Sequence, residues 1–150
     1  MVILIRNQQR KIKLKAHLIE RIIRNILRHE GVRQAELSFV FVSRQKIQAL
    51  NRKYLKRPYA TDVLAFDLGE KKSPRSPLIG EIVISTDAVM TNSRLFQTNP
   101  PQELILYVIH GLLHLLGFDD HRKKDVIKMR RKEGELLKWI ANKIKRMGKV

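Results

Sequence analysis

The sequence predicts one domain, residues 1–150, of the α+β (mixed α/β) class, with a single layer of about four strands flanked by about five helices. Two observations predict this class. Short segments rich in Val, Ile and Phe alternate with segments whose apolar residues recur at helical spacing. In addition, 43% of the 150 residues are hydrophobic, which is enough for one compact core.

The elements follow one another along the whole chain. Strands are predicted where β-branched residues, Leu and Phe cluster, at residues 1–6, 35–42, 61–67 and 80–85. Helices are predicted from apolar periodicity and capping residues at 17–29, 43–54, 87–96, 99–116 and from 123 onward. Residues 68–79 combine proline, glycine and basic residues, so they are predicted to form a surface loop.

Positive charge dominates the composition, with 31 Lys and Arg against 14 Asp and Glu and a net charge of +17. Such a domain is typical of polyanion binding, because phosphate contacts release condensed counterions. Adaptation to high temperature also enriches Lys, but it explains charge of one sign less well. Twelve Lys or Arg fall in residues 122–150, whereas residues 86–121 contain only Arg94. This distribution predicts a nearly uncharged chemical centre beside a phosphate-binding surface.

The absence of cysteine excludes disulfide partners and thiolate metal ligands. The longest apolar run, residues 104–109, is far shorter than the roughly 20 residues of a membrane span. The first five residues lack the flanking features of a signal peptide. We therefore expect a cytoplasmic protein without a membrane partner, in which any metal is held by His, Asp, Glu or backbone oxygen.

The strongest functional signal is the segment HGLLHLLGFDDH at residues 110–121. His110 and His114 are four residues apart, so on a helix both imidazoles project from one face, as in the His-x-x-x-His helix of zincins. Satisfied core histidines are the structural alternative, but packing does not account for the Asp-Asp-His cluster that follows. The spacing predicts that His110 and His114 are metal ligands and catalytic residues, with Zn²⁺ as the expected ion.

A third ligand is expected just after this helix. Gly117 fits the position past a helix end and would turn the chain back, so that Asp120 or His121 reaches the ion. Three protein ligands leave an open coordination position, which is typical of catalytic zinc. Peptidase zincins place a Glu general base directly after the first His, and this chain has Gly111 there. A site without that base must rely on the metal to acidify water, a chemistry that suits phosphodiesters.

This segment resembles the YbeY family of bacterial endoribonucleases, whose motif His-Gly-x-Leu-His-Leu-x-Gly-Tyr/Phe-Asp-His is closely followed at residues 110–119. Supporting matches lie at residues 50–51, 61–66, 80–85 and 103–104, so the resemblance spans about two thirds of the chain. It implies a zinc-dependent endonuclease of single-stranded RNA. It also implies a role in ribosomal RNA maturation, at the 3′ end of the 16S RNA, and in ribosome quality control, with the small ribosomal subunit as partner.

Two positions depart from the family's pattern. The third histidine of the family falls where this chain has Asp120, and His121 follows it. Met129 keeps its family distance from Asp120, which argues against an insertion between them. We therefore favour Asp120 as the ligand and expect His121 to orient a ligand. Leu55 stands where relatives usually carry an arginine that the family uses on substrate phosphate. Lys56 or Arg57 would replace it on one interpretation, and both are ordinary solvated loop charges on the other.

Four basic residues after the motif, Lys123, Lys124, Arg130 and Arg131, are predicted to bind RNA phosphates without base specificity. Two other functions stay open at this point. One is a zincin-type metalloprotease, which the histidine spacing favours and Gly111 opposes. The other is a non-catalytic RNA- or ribosome-binding module that carries a structural metal.

Overall fold

The computed structural model describes residues 1–55, 61–70, 73 and 75–146, and confirms the predicted mixed α/β class. The strands are β1 (Val2–Gln8), β2 (Ala35–Val42), β3 (Val63–Asp67) and β4 (Leu78–Ser85). The helices are α1 (Ala16–His29), α2 (Arg44–Leu55), α3 (Thr86–Leu95), α4 (Pro100–Leu115) and α5 (Lys123–Arg146). Strand β4 begins two residues before the predicted start, because Leu78 and Ile79 pair with the first residues of β2.

The sheet has the order β1-β2-β4-β3, in which β1, β2 and β4 are parallel and β3 runs antiparallel at the edge beside β4. Successive residues of the central strand β2 are buried on opposite faces, as expected for a strand covered on both sides. Phe39 and Phe41 pack in the larger core with α1, α4 and α5, whereas Val40 and Val42 pack with Ile47 of α2. The helices therefore form two unequal layers around the sheet.

Helix α4 carries the two histidines, and its ends are defined by local hydrogen bonds. The Asn99 side chain accepts from the backbone N–H of Gln102 at 2.9 Å, which caps the first turn. At the other end Gly117 has a φ of +100°, and the N–H of Phe118 donates to the carbonyl of Leu113 at 2.9 Å. This glycine-centred C-cap turns the chain sharply, so the residues after it return toward the helix.

Helix α4 lies very close to strand β4 at Gly111. A Cβ atom added at Gly111 would lie 2.6 Å from Cγ2 of Ile82, so only glycine fits this crossing without a shift. Ile82 is itself fully buried in the larger core. The glycine after the first histidine thus allows the helix to pack closely on the sheet. Within the described part of the chain, no helix is long and apolar enough to cross a bilayer.

Candidate metal centre

Three donor atoms converge where α4 meets the loop that follows it. Nε2 of His110 lies 3.0 Å from Nε2 of His114, and Oδ2 of Asp120 lies 3.7 Å and 3.4 Å from these two nitrogens. Tetrahedral zinc with bonds of 2.0–2.2 Å places its donor atoms roughly 3.3–3.6 Å apart. The two nitrogens and the carboxylate oxygen are therefore spaced to hold one divalent ion, which fits the borderline N/O preference of zinc.

The loop geometry distinguishes Asp120 from His121. Asp119 accepts hydrogen bonds from the backbone N–H groups of Asp120, at 2.7 Å, and His121, at 3.3 Å, which fixes the turn. Nε2 of His121 lies 3.4 Å from Oδ1 of Asp119, and the His121 side chain is 76% exposed. His121 also lines the cleft, but its ring groups with Asp119 and Asp120, and Asp120 is the residue whose oxygen lies near both helix histidines.

The environment of His114 favours its neutral form. Burial lowers the pKa of His114 below its usual 6.5, the neighbouring His110 lowers it further, and the carboxylates of Asp120 and Asp119 oppose the shift. A histidine binds a metal only as the neutral imidazole. The lowered pKa therefore keeps His114 ready to bind an ion at neutral pH.

These donor atoms open into a cleft of about 610 Å³. One wall is formed by α4, with Leu106 and Tyr107 beside the histidines, and the other by residues 61–67 of the edge strand β3 and its approach. Leu55, where the family resemblance implies an arginine, lines the cleft with an apolar side chain. The residues predicted to replace that arginine, Lys56 and Arg57, lie outside the described residues.

A hydrogen-bonded group in this cleft was not assigned a role from the sequence. The side-chain amide of Asn92 donates to the phenol oxygen of Tyr107 and, at 3.4 Å, to the carboxylate of Asp62. Burial raises the pKa of Tyr107 to about 12, so its hydroxyl stays protonated as a hydrogen-bond donor. Tyr107 lies one helical turn before His110, and that spacing is the signal that would have placed it on the cleft wall.

Glu133 of α5 is a second residue that the sequence reasoning left without a role. Its Oε2 lies 3.5 Å from Nδ1 of His110, and its side chain is 12% exposed. The signal for it was present in the sequence. Glu133 falls in the same helical stripe as Met129, Leu136 and Ile140, all of which are buried, so a charged residue interrupts the apolar face of the helix.

The four predicted RNA-binding residues of α5 are all exposed, but they lie on two different sides of the helix. At 100° per residue, Lys123 and Arg130 lie about 60–80° around the helix from Glu133, which lines the cleft, so they share the cleft side of the helix with it. Lys124 and Arg131 lie about 160–180° from Glu133, on the opposite side. The first pair therefore points closer to the direction of the cleft than the second, although none of the four side chains lines it.

Gly111 occupies the position at which peptidase zincins carry their general base. Gly111 faces Ile82 of the sheet, where a glutamate side chain would not fit and would not reach the cleft. The histidine spacing of zincins is thus present without the residue on which their peptide hydrolysis depends.

Known proteins match this chain along most of its length. The family model for endoribonuclease YbeY matches residues 4–141. An endoribonuclease YbeY of Syntrophus aciditrophicus is 38% identical over 140 residues, which cover 91% of this chain and 88% of that protein. Another, of Salinibacter ruber, is 35% identical over 133 residues, with 85% of each chain covered.

The fold has a solved counterpart as well. The solution structure of TM1509 from Thermotoga maritima matches with a TM-score of 0.61 and 28% identity, covering 94% of this chain and 93% of that one. The resemblance predicted from the motif at residues 110–119 is confirmed by these matches. The chain therefore belongs to the endoribonuclease YbeY family, whose name denotes hydrolases that cut RNA within the strand.

Proposed function

We propose that this endoribonuclease holds one zinc ion with His110, His114 and Asp120 and hydrolyses single-stranded RNA in the adjoining cleft. The observation that carries the proposal is the convergence of two imidazole nitrogens and one carboxylate oxygen within 3.0–3.7 Å of one another. Three protein ligands leave an open coordination position that faces a cleft of about 610 Å³. A structural zinc site, by contrast, would be closed by a fourth protein ligand.

Zinc in this position would supply Lewis acidity, which polarises a phosphoryl oxygen and makes water a stronger nucleophile. The protein residues do the positioning. His110 and His114 hold their rings from one rigid helix, so the two nitrogens keep a fixed separation. Asp120 contributes a negative charge that offsets part of the charge of the ion. Tyr107 keeps its proton, and its hydrogen bonds with Asn92 and Asp62 fix the cleft wall one helical turn before His110.

Substrate binding is assigned to basic residues of α5. Lys123 and Arg130 lie on the cleft side of α5, where they can contact the phosphates on either side of the bond to be cut. The net charge of +17 strengthens attraction to RNA over a longer range. We assign Lys124 and Arg131 to this general field and not to direct contact near the scissile bond.

The proposed biological substrate is ribosomal RNA, cut during maturation of the 3′ end of the 16S RNA, in the cytoplasm and in contact with the small ribosomal subunit. This assignment extends the family relationship and is supported by the strongly basic surface. A chain that meets a ribosomal particle encounters a dense array of phosphates, for which such a charge is suited.

The test combines metal analysis with hydrolysis assays on the full chain. Wild type is compared with His114→Ala and with His17→Ala, a matched change at an exposed histidine of α1. We expect about one metal ion per chain and cleavage of single-stranded RNA in wild type and His17→Ala, and loss of both in His114→Ala. Full metal content in folded His114→Ala would contradict the site.

Assays with RNA and with peptide then distinguish the endoribonuclease from the two alternative functions. Cleavage of an unstructured peptide but not RNA would make the protein a metalloprotease. Metal binding and RNA binding without hydrolysis of either substrate would make it a non-catalytic module with a structural metal. Cleavage of RNA that stops with a chelator and returns with zinc is the result expected from the proposal.

A further inference from the structure

Glu133 lies on the buried face of α5, where a carboxylate loses hydration. The helix packs on the core through Met129, Leu136 and Ile140, which are 1–2% exposed. Glu133 falls between the first two of them on the same face, and its side chain is 12% exposed. A carboxylate removed from water to this degree needs a charged or hydrogen-bonding partner to offset the lost hydration. The described structure provides that partner on the neighbouring helix α4.

The partner is the ring of His110. Oε2 of Glu133 lies 3.5 Å from Nδ1 of His110, whereas Nε2 of the same ring faces His114 and Asp120. Glu133 and the candidate metal ligands are therefore on opposite sides of one imidazole. Glu133 lines the same cleft, but its carboxylate contacts the ring at Nδ1 and does not belong to the group of three donor atoms. It can, however, accept a hydrogen bond from Nδ1.

We infer that Glu133 is a positioning residue, which holds His110 in the tautomer with the proton on Nδ1 and the lone pair of Nε2 aimed at the ion. This inference rests on the proposed metal site. A neutral imidazole carries one ring proton, so a carboxylate beside Nδ1 leaves Nε2 free to bind. Metal binding at Nε2 makes the Nδ1–H group a stronger donor, and the contact of 3.5 Å is then expected to shorten toward the usual hydrogen-bond range.

The negative charge of Glu133 also favours binding of a cation. The chain has a net charge of +17, and such a field disfavours a bound cation. Asp120 and Glu133 together supply two negative charges, which balance a divalent ion locally. Glu133 thus acts on both the orientation of His110 and the electrostatic potential at the ion, without being a ligand.

The test uses three variants of the full chain. Glu133→Leu removes the charge and the acceptor, Glu133→Gln removes the charge but keeps a carbonyl oxygen, and Glu135→Gln is the matched control at an exposed carboxylate of the same helix. Zinc affinity is measured by competition with a chromogenic chelator. The His110 tautomer in the metal-free protein is read from ¹⁵N chemical shifts of the ring, a readout independent of hydrolysis.

We expect Glu133→Leu to weaken zinc binding about 10–100-fold and to reduce the Nδ1–H tautomer of His110. Glu133→Gln is expected to lose less affinity than Glu133→Leu, because its carbonyl oxygen still accepts from Nδ1. The control is expected to match wild type in both measurements. Since Glu133→Gln keeps the shape of the side chain, it provides the decisive comparison if Glu133→Leu does not fold.

Two outcomes overturn the inference. One is zinc binding by the Glu133 variants as tight as in the control, and the other is an unchanged tautomer of His110 in Glu133→Leu. The His114→Ala variant, measured in parallel, separates this failure from that of the proposed function. If His114→Ala also keeps its zinc, the metal site itself is wrongly placed. If it loses zinc while the Glu133 variants keep theirs, only the role of Glu133 is rejected.

Discussion

Oδ2 of Asp120 lies 3.4 Å from Nε2 of His114, whereas the ring of the next residue, His121, lies beside Asp119. This relationship bears on the third ligand, which the sequence left open between two adjacent residues. We expect Asp120→Ala to lose metal and RNA cleavage nearly as severely as His114→Ala, because each removes one of three donors. His121→Ala is expected to keep its metal. Metal content after dialysis against a weak chelator measures the difference.

An exchange of these two results would identify His121 as the ligand and show that the turn rearranges when metal binds. A tenfold or greater loss of affinity in both variants would mean that one residue binds the ion and the other orients it, since loss of an orienting partner typically costs about 10–100-fold. Asp119→Ala tests the turn itself, because Asp119 accepts the two backbone hydrogen bonds that fix it.

Replacing a glycine by Ala is expected to have opposite effects on stability at Gly111 of α4 and Gly134 of α5. Gly111→Ala places a Cβ 2.6 Å from a buried isoleucine, and overpacking of this kind typically costs about 1–3 kcal/mol. Gly134→Ala, on an exposed face of α5 with nothing within 4 Å, is expected to stabilise by about 0.5–1 kcal/mol through helix propensity. Urea denaturation of both variants decides the sign at each position. A stabilising Gly111→Ala would show that α4 is less closely packed than the structure indicates.

A further prediction concerns stability in acid. Lys11 forms an ion pair with Asp87, and the backbone N–H of Arg44 donates to Asp87 at 2.6 Å. The side-chain hydrogen bond from Lys11 and the backbone bond from Arg44 lower the pKa of Asp87 below 3.8. A carboxyl whose pKa is lower in the folded than in the unfolded state adds stability above the unfolded pKa, and loses that stability as pH falls through the folded pKa.

Asp87→Asn is therefore expected to destabilise the protein at neutral pH and progressively less as the pH falls below about 4. The measurement is the free energy of unfolding of wild type and variant at several pH values between 7 and 3. Glu36→Gln, a change at an exposed carboxylate of β2, serves as the control for general charge effects. An equal difference between wild type and Asp87→Asn at every pH would exclude the proposed titration.

Local signals explain which features of the fold were predictable. The cap of α4 at Asn99 and its end at Gly117 depend on hydrogen bonds within a few residues, and both were read from the sequence. Leu78 and Ile79 were placed in a loop because the residues around them are typical of loops, whereas pairing with distant β2 makes them a strand. The sheet order and the antiparallel edge strand also depend on contacts between distant segments, which periodicity does not report.

The same distinction applies to the site. His110 and His114 were predictable because both lie on one helix at a fixed spacing. The contact of Glu133 with His110 joins two helices, and the hydrogen bonds of Asn92 with Asp62 and Tyr107 join α3, α4 and the residue before β3. A helical stripe can show that a charged residue is buried, but only the packing of one helix against another shows what it faces.

The last prediction compares RNA binding by two double variants, each of which lacks one basic pair of α5. Lys123 and Arg130 are seven residues apart on the cleft side of the helix, and Lys124 and Arg131 have the same types and the same spacing on the other side. Changing either pair to Ala removes two positive charges from the same exposed helix. General attraction to RNA therefore falls equally in the two double variants, and any difference between them reports on the path of the strand.

We expect the Lys123→Ala/Arg130→Ala variant to bind single-stranded RNA more weakly than its counterpart. If both residues contact phosphates, the slope of log affinity against log salt concentration should fall in magnitude by about 1.4, since each contact with a single strand contributes about 0.7. The Lys124→Ala/Arg131→Ala variant should show a smaller change in slope. Both should keep wild-type zinc affinity, because neither pair supplies a donor atom. Fluorescence anisotropy with a labelled oligonucleotide, at four or more salt concentrations, measures both slopes. Equal slopes in the two variants would mean that RNA is attracted to α5 as a whole and does not follow its cleft side.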